Sequence, residues 1–227
     1  MILSSGSGSG RNRYGSKYGY TALFPIRDAD CRVALRKSLL DMDAHKYGSP
    51  FSDVPRIHLA RLIVWDGLPY QGLPSKADRL EAGYLIFMCD FDGETVRNLA
   101  GSLVVNAFDF VQDIWGKCSG FPVTGEGPFD TNAAAKQFAD YLRRYQVETS
   151  LFFCDQPHAT VEEILSGIKM QIAFAKFVEA NQADDPVTLQ QKFRQFWEDL
   201  KGSQDLLPGR LPDTEPRGTG LGEKAQP

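Results

Sequence analysis

Five polar side chains that could do chemistry stand at or near the ends of apolar segments of the chain. They are His58, Asp90, Asp92, Asp155 and His158. An imidazole changes its charge near neutral pH and can also ligate haem iron. Two histidines with a carboxylate can hold a non-haem metal. These residue types therefore point to acid–base, haem or metal chemistry, provided that the fold brings them together.

Arg61 stands in the middle of the apolar segment 57–65 (IHLARLIVW), three positions after His58. The alternation of a strand places it on the face opposite His58. A charged side chain there is costly unless it is paired. Two interpretations stay open: an ion pair with a helix carboxylate or a partner chain, or a bidentate clamp for a ligand's carboxylate or propionate.

The elements that must position these residues follow from hydrophobic periodicity and capping residues. Strands are predicted at 18–26, 57–65, 84–89 and 147–153, and helices at 29–44, 94–117, 132–144, 160–181 and 187–202. The order strand–helix–strand–strand–helix–strand predicts an α+β, ferredoxin-like antiparallel sheet with spatial order 4-1-3-2 and additional C-terminal helices. The Gly/Ser-rich residues 1–17 and the Pro/Gly-rich residues 204–227 are predicted to be disordered tails around one domain at 18–203.

This topology brings the polar residues to one edge of the sheet, where the first two strands begin and the other two end. The same edge receives two helix N-termini, which favour anions. Asp90 and Asp92 could be turn and capping residues, and His58 a core histidine. His58 or His158 could instead ligate haem, or the group could bind a metal or a small anion.

Both faces of the predicted strands at 57–65 and 84–89 are apolar, whereas a sheet with helices on one face should alternate. Something is therefore expected to cover the second face. The candidates are a second subunit or another protein partner, the amphipathic helix at 187–202, and a small apolar ligand.

Composition excludes several classes of protein. The chain has 25 Lys and Arg against 29 Asp and Glu, and this net charge of −4 argues against nucleic-acid binding. There is no P-loop and no G-x-S-x-G elbow, which argues against a nucleotide-binding fingerprint and against a hydrolase. The four cysteines form no CxxC pair, which argues against a zinc ribbon or a redox motif. No residues are assigned to a metal site. The absence of a membrane span and of a signal peptide predicts a cytoplasmic protein.

Three segments resemble motifs of a family of bacterial proteins. IHLARL at 57–62, DFDG at 90–93 and CSGFP at 118–122 are similar to I-H-F-A-R-W, N-F-D-G and C-x-G-Y-P. That family looks like a distant relative of the dimeric α+β barrel superfamily, which includes dye-decolorising peroxidases and chlorite dismutase relatives. The resemblance implies a homodimer, and a pocket for haem or a hydrophobic small molecule between sheet and helices.

The resemblance also implies roles for particular residues. Asp92 and Gly93 match the end of the G-x-x-D-G segment that carries the distal Asp of the peroxidases, so Asp92, His58 and Arg61 are the catalytic candidates. His58, His158 and Arg61 are the cofactor-binding candidates. The later helix that holds the proximal His in those enzymes has no His here, and His158 lies just before it.

Three functions are consistent with these residues. The first is a haem-binding protein, which would be a peroxidase-like oxidoreductase if it is an enzyme. The second is a non-catalytic protein–protein interaction module that uses the apolar sheet face and the C-terminal helix. The third is a small-molecule enzyme without haem that uses His58 with Asp90 or Asp92.

Overall fold

A computed structural model describes residues 10–43, 49–67, 72–73, 79–122 and 130–202. The strands are β1 (Arg13–Tyr14), β2 (Lys17–Pro25), β3 (Ile57–Gly67) and β4 (Arg79–Asp92). The helices are α1 (Ala29–Asp43), α2 (Val96–Asn106), α3 (Phe108–Trp115), α4 (Thr131–Tyr145), α5 (Val161–Ala180) and α6 (Pro186–Gly202). The prediction of an α+β protein with an antiparallel sheet is confirmed. No helix in the described ranges is long and apolar enough to cross a membrane.

The sheet has the order β1-β2-β4-β3, and all neighbouring strands are antiparallel. β4 is central and pairs along its length with β2 and β3, so the strands predicted at 18–26, 57–65 and 84–89 exist and lie in the predicted order. β3 and β4 extend further than predicted, to Gly67 and from Arg79, into what was expected to be a loop.

The predicted strand at 147–153 is wrong. That segment makes one isolated bridge beside β2, Ala22 with Gln146, and the Val147 N–H donates to the Thr21 carbonyl at 2.8 Å. Leu151 and Phe153 are largely exposed, so the apolar pattern that suggested a strand buries little surface. The remaining edge of β2 is taken by β1 instead.

Residues 10–17, which composition assigned to a disordered tail, form a short 3₁₀ turn, β1 and the start of β2. Asn12 and Lys17 are buried there, and the Asn12 side-chain oxygen accepts a hydrogen bond from the Thr149 N–H at 2.9 Å. Backbone pairing and polar contacts hold this segment rather than apolar burial, which is why composition alone missed it. Residues 1–9 and 203–227 lie outside the described residues.

The core lies between one face of the sheet and helices α1 to α4. Its centre is Trp115, at the end of α3, which is fully buried and meets four phenylalanine rings edge-on. These rings are Phe24, Phe87, Phe110 and Phe138. The predicted helix at 94–117 is two helices, because the chain leaves helical geometry at Ala107.

The other face of the sheet, here called the outer sheet face, is only partly buried. It consists of Thr21, Leu23, Leu59, Arg61, Ile63, Trp65, Tyr84, Ile86, Met88 and Asp90, by the alternation of the paired strands. Leu59 is 55% exposed and Ile63 is 37% exposed. Seven of the ten residues are half-buried, and Leu59, Arg61 and Ile63 of β3 are exposed.

The chain divides into two compact units, one up to Ile164 and one from Leu165. In the second unit α5 and α6 form a helical hairpin, and Phe177 stacks on Phe196 with ring centroids 4.8 Å apart. Asp185 begins α6 by accepting hydrogen bonds from the N–H groups of Val187 and Thr188. The amphipathic helix predicted at 187–202 is confirmed.

Candidate functional site

Lys17, His58 and Asp92 form a cluster at the edge of the sheet where the sequence predicted a site. Lys17 is the first residue of β2 and lies opposite Asp92, the last residue of β4. The Lys17 ammonium donates to Asp92 Oδ1 at 2.5 Å. His58 Nε2 lies 2.7 Å from both Asp92 Oδ1 and Lys17 Nζ.

An irregularity in β3 places the histidine in this cluster. The register shifts between Ile57 and Leu59, so one extra residue of β3 faces β4 at His58. A bulge of this kind re-aims a side chain. As a result the His58 ring reaches Asp92, which lies on the same face of the sheet as Arg61. The expectation that His58 and Arg61 lie on opposite faces is therefore wrong.

The cluster also holds the start of α5. Asp92 Oδ2 accepts a hydrogen bond from the Val161 N–H at 2.7 Å, and the Lys17 ammonium also donates to the Ala159 carbonyl. Thr160 and Glu163 form the capping box that the sequence predicts, with Thr160 N–H donating to Glu163 Oε2 at 2.7 Å. The cluster therefore joins the sheet to a helix N-terminus.

Burial determines the electrostatics of this cluster. The Lys17 side chain is 1% exposed, and its ammonium donates to Asp92 Oδ1 and to the Ala159 carbonyl, with His58 Nε2 at 2.7 Å. Burial raises the pKa of Asp92, but hydrogen bonds from His58, Lys17 and the Val161 N–H outweigh it, and the pKa lies below the ordinary 3.8. Asp92 is therefore a charged acceptor at neutral pH, and both of its oxygens are engaged.

A cavity of about 1010 Å³ adjoins the cluster. Its lining includes Arg13, Arg56, Asp92, Glu94, His158 and Glu162. Arg13 forms an ion pair with Glu94 at 3.4 Å, so the lining carries charges of both signs. A cavity of this size can hold a small molecule of several rings.

The predicted site residues are brought together only in part. His58 and Asp92 are in contact, and His158 lines the cavity that Asp92 also borders. Arg61 does not join them: it is exposed on the outer sheet face, opposite Met88. Asp90 lies opposite Leu59 on the same face, and burial raises its pKa although His58 lowers it. Asp155 is exposed in the loop before α5.

Sequence reasoning missed Lys17, Arg13 and Arg56. The first two were assigned to a tail because their neighbours are Gly and Ser. One signal for Lys17 was present: a lysine that opens one strand of an antiparallel pair can face a carboxylate that closes the other strand.

The site does not match a metal centre. No group of three His, Cys, Asp or Glu side chains in the described ranges could hold a metal ion. For haem, the Nε2 atom of His58 is already in contact with Lys17 and Asp92, whereas His158 lines a cavity. Comparison with known protein families, with curated proteins and with solved structures finds no match for this chain.

Proposed function

We propose that this protein is a non-catalytic protein–protein interaction module, and that two copies associate through the outer sheet face. One observation carries the proposal: this face combines exposed apolar side chains with two opposite charges. Leu59 and Ile63 are the exposed apolar residues of β3. Among the described residues, no side-chain hydrogen bond or ion pair is seen for Arg61 or Asp90, although His58 interacts electrostatically with Asp90. A partner would cover the apolar side chains and place opposite charges beside Arg61 and Asp90.

The charges favour a second copy as this partner. In a two-fold symmetric dimer, residue i of one copy contacts residue j of the other, and j contacts i. Arg61 of each copy would meet Asp90 of its partner, so one face supplies both members of two ion pairs. Asp90 is partly buried and its pKa is raised by that burial, so a guanidinium beside it would relieve an electrostatic cost.

The order of the elements supports a ferredoxin-like, dimeric α+β barrel arrangement. The segment at 146–147 runs antiparallel beside β2, β2 pairs with β4, and β4 pairs with β3. Such an arrangement would correspond to the ferredoxin-like order with its last strand reduced to one bridge. Two such sheets packed face to face would cover both outer faces. The four cysteines are free, which supports a reducing, cytoplasmic location.

Charge exchange tests the proposal. Arg61→Asp and Asp90→Arg are each expected to weaken self-association at least tenfold, since like charges across an interface cost on the order of several kcal/mol. The double variant Arg61→Asp/Asp90→Arg is expected to restore it. The measurement is the dissociation constant from sedimentation equilibrium of the full chain.

The matched control is Arg97→Asp, at an exposed position of α2 away from the sheet face. It alters the net charge as Arg61→Asp does but lies away from the proposed interface, so it should leave the dissociation constant unchanged. A single exchange without effect, or a double variant that stays as weak as the singles, contradicts an interface that joins Arg61 to Asp90.

The cavity supports a second candidate, the binding of haem or of a hydrophobic small molecule. The specific observation is that His158 lines a cavity of about 1010 Å³ together with Arg13 and Arg56. Imidazole is a common haem ligand, and guanidinium groups can pair with propionates. Bound haem would make the protein a candidate peroxidase-like oxidoreductase.

Hemin titration of the wild type, His158→Ala and His58→Ala tests this candidate. We expect a Soret band that saturates at one equivalent and is lost in His158→Ala. His58→Ala should retain it, because the His58 Nε2 faces Asp92 and Lys17. Binding that does not saturate, or that survives His158→Ala, contradicts this candidate.

A further inference from the structure

The hairpin of α5 and α6 carries an apolar stripe on one face. Its members are Met170, Phe174 and Val178 on α5, and Leu189, Phe193 and Trp197 on α6, here called the hairpin stripe. Each set follows the spacing i, i+4, i+8, which places its side chains on one face of a helix. All six side chains are partly exposed, Phe174 by 47% and Phe193 by 41%.

The contact between the two helices includes Phe174 and Phe193 of the stripe, which meet each other with ring centroids 6.4 Å apart, and still leaves them 47% and 41% exposed. Phe177 and Phe196 stack between α5 and α6, and both are less exposed than the stripe. No side chain of α5 is fully buried, and neither is any of residues 186–200. A groove of about 500 Å³ lies on the hairpin, with an apolar lining of Phe174, Phe177, Val178, Pro186, Leu189 and Phe193 and a polar rim of Asn181, Gln182, Asp184 and Gln190. A two-helix layer of this kind needs a further layer to cover its apolar side.

We propose that the hairpin stripe binds the hairpin stripe of a second copy, so that two hairpins form an intermolecular four-helix bundle. The inference rests on the proposed interaction function and names the partner of its helical part. Bundles built from helical hairpins bury such stripes in a shared core.

The exposed area fits a stable dimer. An aromatic side chain offers about 150–250 Å² and the other members of the stripe somewhat less. Their exposed fractions then come to roughly 450 Å² per copy, or about 900 Å² for two copies. Apolar atoms make up about 60% of an ordinary interface, which corresponds to a total of roughly 1,500 Å².

The charges of the hairpin also favour a copy of itself over a strongly charged partner. Residues 165–202 contain five basic and five acidic side chains, so the segment has no net charge. Along α6 the basic pair Lys192 and Arg194 comes before the acidic pair Glu198 and Asp199. Lys192 pairs with Asp184 of its own chain at 2.7 Å, so two α6 helices packed antiparallel would bring Arg194 of each toward the acidic side chains of the other. The amide side chains on the rim of the groove can both donate and accept, so they too can pair with themselves.

The first test compares the mass in solution of the full chain with that of two matched variants. Phe193→Asp places a charge on the stripe. Gln191→Asp places the same charge on the opposite, exposed side of α6. We expect Phe193→Asp to weaken hairpin association at least tenfold and Gln191→Asp to leave it unchanged. Equal effects of the two variants overturn the inference.

Comparing the single variants Phe193→Asp and Arg61→Asp separates this inference from the proposed sheet-face association. If both interfaces exist, the wild type forms tetramers or larger assemblies and each single variant forms dimers. A wild-type dimer that Phe193→Asp dissociates and Arg61→Asp does not supports the hairpin alone. A dimer that only Arg61→Asp dissociates overturns the hairpin inference and leaves the sheet face. A monomeric wild type at 200 µM overturns both.

A crosslinking measurement keeps the test decisive if Phe193→Asp unfolds the hairpin. A photoreactive benzoylphenylalanine replaces Gln190, which lines the groove, or Gln191, which does not. Irradiation at position 190 should give a covalent dimer whose crosslink maps to residues 165–202 of the other copy. Crosslinks equally frequent from position 191, or mapping outside that range, overturn the inference.

Discussion

A lysine with almost no exposed surface determines the chemistry at the edge of this sheet. The ammonium of Lys17 meets the Asp92 carboxylate, the Ala159 carbonyl and the His58 ring. A buried ion pair of this kind adds little net stability compared with an apolar pair, but the loss of one member leaves an uncompensated charge. We therefore interpret the cluster as a structural connection between sheet and helix that also forms one wall of the cavity.

The substitution Asp92→Asn is expected to lower the free energy of unfolding by about 3–5 kcal/mol, because it leaves the Lys17 ammonium buried without a carboxylate. Urea unfolding at pH 7 measures it. Asp140→Asn is the control, because its pair with Arg143 is exposed on α4 and should contribute less than about 1 kcal/mol. A loss at Asp92 as small as that of the control contradicts the structural role of the cluster.

The stability difference between the wild type and Asp92→Asn should depend on pH, and the pKa shift of Asp92 fixes the sign of that dependence. The pKa of Asp92 is lower in the folded chain than in the unfolded chain, so its stabilisation is present above the unfolded pKa and is lost as the pH falls through the folded pKa. The difference in urea midpoint between wild type and Asp92→Asn should therefore be constant near neutrality and shrink below about pH 4. A difference that persists undiminished at pH 2.5 would assign the effect to packing instead.

At the residue scale the sequence predicted two of the three members of the cluster. Topology brought His58 and Asp92 to one edge, and the structure shows them in contact. Lys17 was missed because composition describes the neighbours of a residue and not its partner 75 positions away. Arg61 was a site candidate through a possible role as a clamp for a ligand carboxylate and through the resemblance, but it lies opposite Met88 on the outer sheet face, away from the cluster.

Among the elements, the turn between β1 and β2 shows how a small residue determines a contact. Gly15 has φ +62°, and a Cβ atom there would lie 2.3 Å from the Pro157 carbonyl oxygen. That carbonyl accepts the hydrogen bond from the Ser16 N–H at 2.8 Å. The close approach of the two backbones therefore requires glycine, and it holds the loop before α5 against the sheet.

Two glycine replacements should have opposite signs. Gly15→Ala is expected to lower the free energy of unfolding by more than about 1 kcal/mol, since a left-handed conformation costs a residue with a Cβ atom about 1–2 kcal/mol before the clash is counted. Gly101→Ala, in α2 with open space around the added atom, should raise it by about 0.5–1 kcal/mol. Thermal unfolding followed by circular dichroism measures both. A stabilised Gly15→Ala protein would exclude the strained turn.

Local patterns predicted the strands and helices that have strong periodicity, and failed where pairing decides. The segment at 147–153 has the residues of a strand, but β1 occupies part of the edge of β2 that it would need. Conversely, β1 has two residues and a polar neighbourhood, so no periodicity could reveal it. Competition for an edge is a non-local property, and the sequence of either segment does not contain it.

At the scale of the whole molecule, the described residues carry two partly exposed apolar surfaces, one in each compact unit. The sequence indicated that the second sheet face needs a cover, because its residues are apolar. It could not say what the cover is, because periodicity shows which side chains avoid water and not which surface they meet. The same limit applies to α6, which was predicted as an amphipathic helix that could cover the sheet face or bind a partner chain.

The three tryptophans lie in three different parts of the structure: the core, the outer sheet face and the hairpin stripe. Trp115 is enclosed by aromatic rings, and its indole N–H has no hydrogen-bond partner in the described part of the chain. Trp65 belongs to the outer sheet face and Trp197 to the hairpin stripe. With water excluded from one indole and available to the other two, the fluorescence of Trp115 serves as an internal reference for the fold. Changes in the emission of Trp65 or of Trp197 on dilution would then identify optically which surface has separated from its neighbour.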